Sequence, residues 1–206
     1  MHTTLPNELV RLHILSGMRN TVELRGEILA AARTEFAQYG LAGARIDRIA
    51  RAASASKERL YAHFGDKETL FREVVAADTA QFYAAVTLRP DAVAEFVGDV
   101  HDLVRARPEH LRMITWARLE GIDLDEPQAD GQPLLGHALA AIETAQADGH
   151  VDASWEPVEL LVLLFGIGLA WAHAPGPQAA DDEVGLAARQ RAAAVEAASR
   201  IIASRT

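Results

Sequence analysis

The chain has 206 residues, a formal net charge of −9 and no cysteine. That length carries one domain, or a small domain beside a larger one, with a core that needs no staples. The missing thiol excludes disulfides, thiolate zinc sites and a cysteine nucleophile, and the acidity speaks against polyanion binding over most of the surface.

The first twenty residues, "MHTTLPNELVRLHILSGMRN", show no basic leader before an apolar core and no small-residue cleavage site, so a soluble, cytoplasmic protein is expected. The longest uncharged stretch, residues 160–180, loses its apolar character near His173 and then meets Pro175 and Pro177. It is short for a bilayer span and reads as a buried helix. No membrane contact is expected.

Helical periodicity runs through the chain, and no alternating strand is evident. Leu24, Ile28, Ala32, Phe36 and Tyr39 fall on one face of a first helix, with Asn20 as N-cap, Glu23 three residues on and Gly40 at the end. Ile46, Ile49, Ala50 and Ala53 form a short second stripe. A third helix starts at Ser56 as N-cap, turns Leu60 and Phe64 inward and closes at Gly65. Asp66 caps a fourth, which carries Leu70, Val74 and Phe82 and is expected to reach Leu88 before Pro90. Val93, Phe96, Val97, Val100, Leu103 and Val104 mark a fifth, and Pro108 opens a sixth. Residues 122–132 read as an acidic loop. A seventh helix carries Leu134, Leu135, Ala138, Leu139 and Ile142 and closes at Gly149. The eighth covers 157–173 and the ninth 181–204, with Val184, Ala187, Val195, Ala198, Ile201 and Ile202 as its stripe. The fold class is all-α, with about nine helices.

Charge is bunched. Residues 23–72 carry nine Lys/Arg against seven Asp/Glu, a net +2, whereas residues 73–206 sum to −12. Within residues 45–59 stand Arg45, Arg48, Arg51, Lys57 and Arg59 against Asp47 and Glu58. Two short helices joined by a three-residue bend, over about residues 45–64, form a helix-turn-helix pattern. Ile46, Ile49 and Ala50 can pack on Leu60 and Phe64, small Ala52, Ala53 and Ala55 allow a close crossing, and Lys57, Glu58, Arg59, Tyr61 and His63 stay free to enter a major groove. The same unit also occurs in plain helical bundles, so a helical adaptor without DNA binding is a second reading.

The segment "ILAAARTEFAQYGLAGARIDRIARAASASKERLYAHFGDKETLF", residues 28–71, resembles the DNA-binding domain of the tetracycline-repressor (TetR) family of transcriptional regulators. The "LYAHFGDK" core is its most specific part. The resemblance implies a three-helix DNA-binding domain over residues 22–82, after an extension of residues 1–21. A helical ligand-binding and dimerisation domain would follow over residues 83–206. It implies a ligand-responsive regulator, most simply a repressor, that binds a palindromic DNA operator as a dimer. By position, Ser56, Lys57, Glu58 and Arg59 open the recognition helix, with Lys and Arg suited to guanine edges. Tyr61, His63 and Lys67 would grip phosphates, and Arg45 would reach phosphate or base. For three of these a plainer role stands beside the functional one: Tyr61 packing, His63 bonding the scaffold, Glu58 pairing with a neighbouring cation. The sequence departs from the family pattern at Ser54, where the bend usually holds Gly, and at Ala44–Arg45, where the usual Thr or Ser cap is absent, at a cost of about 1 kcal/mol. Many members begin near Met18. Residues 1–20 are therefore either an over-extended start or an added helix over residues 6–15 with Leu9, Val10, Leu12 and Ile14.

Helices eight and nine are expected to form the homodimer interface, a four-helix bundle across a two-fold axis, with Leu164 and Ile201 in it. Phe82, Phe96, Met113, Trp116, Phe165 and Trp171 are candidates to line a chamber for a small apolar or weakly polar effector, with His101, His137 and His173 on the same helices. Enzyme signatures are missing: there is no Glu-x-x-His, HExxH, Gly-x-Ser-x-Gly or P-loop. Asp99, His101 and Asp102 are close in sequence but point apart on a helix. No cofactor and no metal are expected.

Overall fold

The computed structural model describes the backbone of residues 7–123, 128–129, 132–173 and 183–203, and the side chains of 21–123, 128, 133–172 and 185–203. Leu9, Val10, Leu12, Ile14, His173 and Val184 thus lie outside the described side chains, and residues 124–127 and 130–131 of the acidic loop outside the described chain. Among the described residues there are nine helices: α1 (Asn7–Gly43), α2 (Ile46–Ala52), α3 (Lys57–Phe64), α4 (Lys67–Ala84), α5 (Val93–Ala106), α6 (Pro108–Leu119), α7 (Leu134–Ala147), α8 (Pro157–His173) and α9 (Glu183–Ile202). The all-α expectation holds, with one addition. Strands β1 (Gln128–Ala129) and β2 (Gln132–Pro133) form a two-residue antiparallel ladder where only loop was expected.

Two boundaries and the orientation of one side chain differ from the sequence reading. Helix α1 begins at Asn7, so Asn20 lies inside it and has no free first-turn N–H groups to cap. Tyr39 is 39% exposed rather than inward, because the Arg48 guanidinium lies 4.2 Å over its ring and holds it at the surface. Helix α4 stops at Ala84, short of Leu88. The β-branched Val86 and Thr87 and a pre-proline Arg89 disfavour further helix, and Leu88 is buried as a loop anchor instead.

The chain forms two compact units, Met1–Ala76 with Arg112–Leu124, and Ala77–Leu111 with Asp125–Thr206. In the first, Ile28, Ala32 and Phe36 of α1 pack with Ile49 of α2, Leu60 and Phe64 of α3, Leu70 and Phe71 of α4 and Met113 and Ala117 of α6. Phe36 and Phe71 meet edge to face at 5.0 Å, a geometry that adds about 0.5–1.5 kcal/mol to their burial. In the second, α5 lies against α8 and α9. A Cβ on Gly168 would stand 2.7 Å from Val100 Cγ1 and 3.2 Å from the Val97 carbonyl, so only glycine lets α8 approach α5 this closely. Arg191 of α9 reaches across to three α5 carboxylates: Asp102 at 2.9 Å, Glu95 at 3.2 Å and Asp99 at 3.2 Å. Asp99 and Asp102 thus belong to this clamp, and His101 is buried edge-on to Trp171. Gly149 closes the turn after α7 with a positive φ.

Candidate nucleic-acid interface

Helix α2 ends in a bend whose hydrogen bonds explain Ser54. The Ser54 N–H donates to the Arg51 carbonyl at 3.2 Å, and the Ala55 N–H donates to the Ala50 carbonyl at 2.9 Å. This nested pair is the Schellman closure, which requires a left-handed residue between its donors. Ser54 supplies it at φ 50°, and is the only non-glycine residue with positive φ among the described residues. The bend keeps the glycine-type geometry without the glycine. Ala53, buried beneath it, has no bulk to force the helices apart.

Helix α3 then begins where expected. The Ser56 Oγ accepts from the Arg59 N–H at 3.3 Å, and Gly65 ends the helix at φ 75°. Leu60 and Phe64 are buried in one core with Ile46, Ile49 and Ala50, so α2 packs on α3 through the residues the spacing requires. The opposite face, Lys57, Glu58, Arg59 and Tyr61, is exposed, with Tyr61 at 44%. His63 is half-buried, its ring tilted against Phe64.

Electrostatics sort these side chains. Lys57 pairs with Asp47 of α2, and that hydrogen bond pushes its ammonium pKa up. Glu58 is held below the ordinary carboxyl range by hydrogen bonds from its own N–H and from Ser56, so it curls back on the helix start. Lys67 is half-buried, and its ammonium donates to the carbonyls of Ala42 at 3.4 Å and Ala44 at 3.3 Å. Arg45 is exposed at the N-cap of α2 and makes no side-chain cap. The helix start is tied down from a distance in another way: buried Glu35 of α1 accepts the Arg45 N–H at 2.8 Å and the Arg48 Nε–H at 2.8 Å. Burial alone would raise the Glu35 pKa. The Arg48 and Arg45 hydrogen bonds outweigh it and hold the carboxyl low. Sequence reasoning missed Glu35, because nothing local marks a carboxylate ten residues upstream as a partner of the helix start.

The chamber candidates divide. Phe96 and Phe165 meet edge to face at 5.2 Å and line a cavity of about 230 Å³ in the second unit, together with Tyr83, Leu88, Leu134 and His137. Phe82 is buried against the His110 ring at 4.1 Å, and His110 bonds buried Asp78 at 2.5 Å. Trp171 packs on His101. Met113 and Trp116 do not join them. They face the core of the first unit, because the later turns of α6 are recruited there. Leu164 is wholly buried in the core of its own protomer and not on an outer face. Exposed apolar side chains of α8 are instead Val158 at 59%, Val162 at 65% and Leu163 at 42%. Among the described residues no group of His, Asp or Glu could hold a metal ion, and no helix is long and apolar enough to cross a membrane.

Two short helices at a left-handed bend, with a cationic outer face on the second, define a helix-turn-helix DNA-binding module. Residues 28–74 match the family described as "Bacterial regulatory proteins, tetR family", and residues 92–200 match "Tetracyclin repressor-like, C-terminal domain". The HTH-type transcriptional repressor SCO4008 of Streptomyces coelicolor is 33% identical over 150 residues, 72% of this chain and 78% of that protein. The HTH-type transcriptional repressor AcnR of Corynebacterium efficiens is 39% identical over 66 residues, only 32% of this chain and 35% of that protein. The crystal structure of SCO4942 from Streptomyces coelicolor superposes with a TM-score of 0.72 at 39% identity, covering 86% of this chain and 97% of that one. The chain belongs to the TetR family of transcriptional regulators. It is a DNA-binding regulator and not an enzyme.

Proposed function

We propose that the protein is a repressor that binds a palindromic operator as a homodimer and releases it when a small apolar or weakly polar effector binds. The observation that carries the DNA part is the two-sided α3: Leu60 and Phe64 buried, Lys57, Arg59 and Tyr61 facing solvent. Lys57 and Arg59 read base edges, while Tyr61, His63, Lys67 and Arg45 hold phosphates. Ser56 and Glu58 set the start of the helix. The first unit, in which Met113 and Ala117 of α6 join the core of α1 to α4, acts as the DNA-binding domain, and the second unit as the effector and dimerisation domain.

Dimerisation through α8 and α9 is supported by the outer face of α8. Val158, Val162, Gly166 and Ala170 recur every fourth residue, and all four are exposed, a narrow apolar stripe over which a second helix can approach closely. The 230 Å³ cavity supports the effector reading. Among the described residues its lining carries no Asp, Glu, Lys or Arg, so a charged ligand would lose hydration without gaining a partner there. Control then works by selection: the effector binds better to a conformation whose recognition helices are misaligned. Helix α4, continuous from Lys67 to Ala84, is the connector. Coupling of about 1–3 kcal/mol would lower operator affinity roughly 5–150-fold.

The test is selection of duplexes from a randomised library by the purified full chain, followed by sedimentation of the complex. Two protomers on a two-fold symmetric site are expected. Enrichment of no motif would refute the reading.

A further inference from the structure

We propose that Glu120 is a positioning residue for DNA recognition, acting through the turn that leads from α1 into the helix-turn-helix. At the end of α1 the chain kinks at Gly40, with φ 65° and ψ −177°, and residues 41–43 make one more helical turn before Ala44. That turn has its own unpaired start. The Leu41 and Ala42 N–H groups both donate to Glu120 Oε1, at 2.8 Å and 3.2 Å. Trp116, one turn earlier on α6, closes over the kink. A Cβ on Gly40 would lie 2.8 Å from Trp116 Cδ2 and 2.8 Å from Glu120 Oε1. The glycine is therefore needed twice, for its positive φ and for the close approach of α6.

The other end of the same turn is held by Lys67, which takes the Ala42 and Ala44 carbonyls, and by Glu35, which takes the Arg45 N–H. Side chains from α1, α4 and the end of α6 thus fix both ends of a six-residue passage. Its direction sets how α2, and the α3 packed on it, leave the domain. Glu120 is the contact that reaches this turn from farthest along the chain, 78 to 79 residues away. It is also poorly placed to be a mere stability element. Leu41 is half-buried and Ala42 exposed, so water can satisfy both N–H groups once the carboxylate is gone. What is lost is the direction of the turn. Because α6 begins at Pro108 in the second unit, the chain of that unit also reaches the recognition element through α6 and these two hydrogen bonds, besides α4.

The experiment measures, for the full chain, affinity for a duplex that the wild type selects from a randomised library and for a scrambled duplex of the same length. Glu120→Ala should lower affinity for the selected duplex by roughly tenfold, the size associated with losing one helix cap. Binding to the scrambled duplex should stay within about twofold, because phosphate contacts tolerate misalignment that base contacts do not. Glu120→Asp, too short to reach the turn, should behave like the alanine variant. Glu120→Gln, which keeps an acceptor oxygen, should restore the wild-type ratio. An equal loss on both duplexes would mean a merely structural role and overturn the proposal. So would a glutamine variant as defective as the alanine one, or an alanine variant with wild-type discrimination. Should the alanine variant not fold, the aspartate and glutamine variants decide the question alone.

Discussion

Replacing Glu35 isolates the long-range tie on the start of α2. Glu35 is 8% exposed and serves two donors, the Arg45 N–H at 2.8 Å and the Arg48 Nε at 2.8 Å. A hydrogen bond to a charged group contributes about 1.5–3 kcal/mol when fully desolvated. The Arg48 side chain is 36% exposed, so screening takes that half of the interaction nearer to 1 kcal/mol. Glu35→Ala should therefore cost about 2 kcal/mol, a fall in Tm of roughly 4–8 °C for a chain of this size. Glu35→Gln keeps an acceptor for Arg45 and loses only the charge, so about half of that is expected. The pH dependence gives the sign. Hydrogen bonds from Arg48 and Arg45 overcome burial and hold the Glu35 pKa below its ordinary value. Such a group contributes stability that is fully present above the unfolded carboxyl pKa, near 4.3, and is lost as pH falls through the lower folded value. Urea unfolding followed by circular dichroism should thus show a gap between wild type and Glu35→Gln that is full at pH 7 and closes on acidification below about pH 4. Equal midpoints at pH 7, or a gap that survives acidification unchanged, would refute the reasoning.

Three further outcomes are expected. Val162→Asp should leave helix content intact while sedimentation shows monomers and operator binding is lost; a dimer of wild-type affinity would remove α8 from the interface. Gly168→Leu would drive its side chain into Val100 and the Val97 carbonyl, and should destabilise the second unit by more than the roughly 1–3 kcal/mol of ordinary overpacking, read by thermal unfolding. Asp47→Asn frees Lys57 from its ion pair and should tighten binding to selected and scrambled duplexes alike at low salt, with the gain shrinking as salt rises; unchanged affinity would mean that the pair does not compete with DNA.

How much of this was legible in the sequence follows the range of the interactions. Ser56, Leu60, Phe64 and Gly65 are set by contacts within a turn or two, and cap, stripe and stop stand where the spacing puts them. The left-handed conformation of Ser54 was not legible: a serine in place of glycine could equally have meant a reshaped bend, and the Schellman pair that decides it became visible only with the Arg51 and Ala50 carbonyls in place. The long-range bonds from Glu35 and Glu120 were not legible, because a carboxylate on another element carries no local mark. Met113 and Trp116 of α6 are chamber candidates by residue type alone. Composition cannot say which face the first unit claims. Leu164 failed for the same reason: α8 is apolar all round, and only packing separates buried Leu160, Leu161 and Leu164 from exposed Val158 and Val162.

The central claim is that an α3 presented by a dimer reads DNA sequence. Its most direct test is the motif enriched from a randomised duplex library by the wild type, beside that enriched by Lys57→Ala and Arg59→Ala. The account predicts a palindrome with half-sites about one helical turn apart, roughly 34 Å or a multiple, and altered or relaxed preference at matched positions of both half-sites in the variants. A single unrepeated motif, or variants that bind more weakly yet enrich the same sequence, would contradict it.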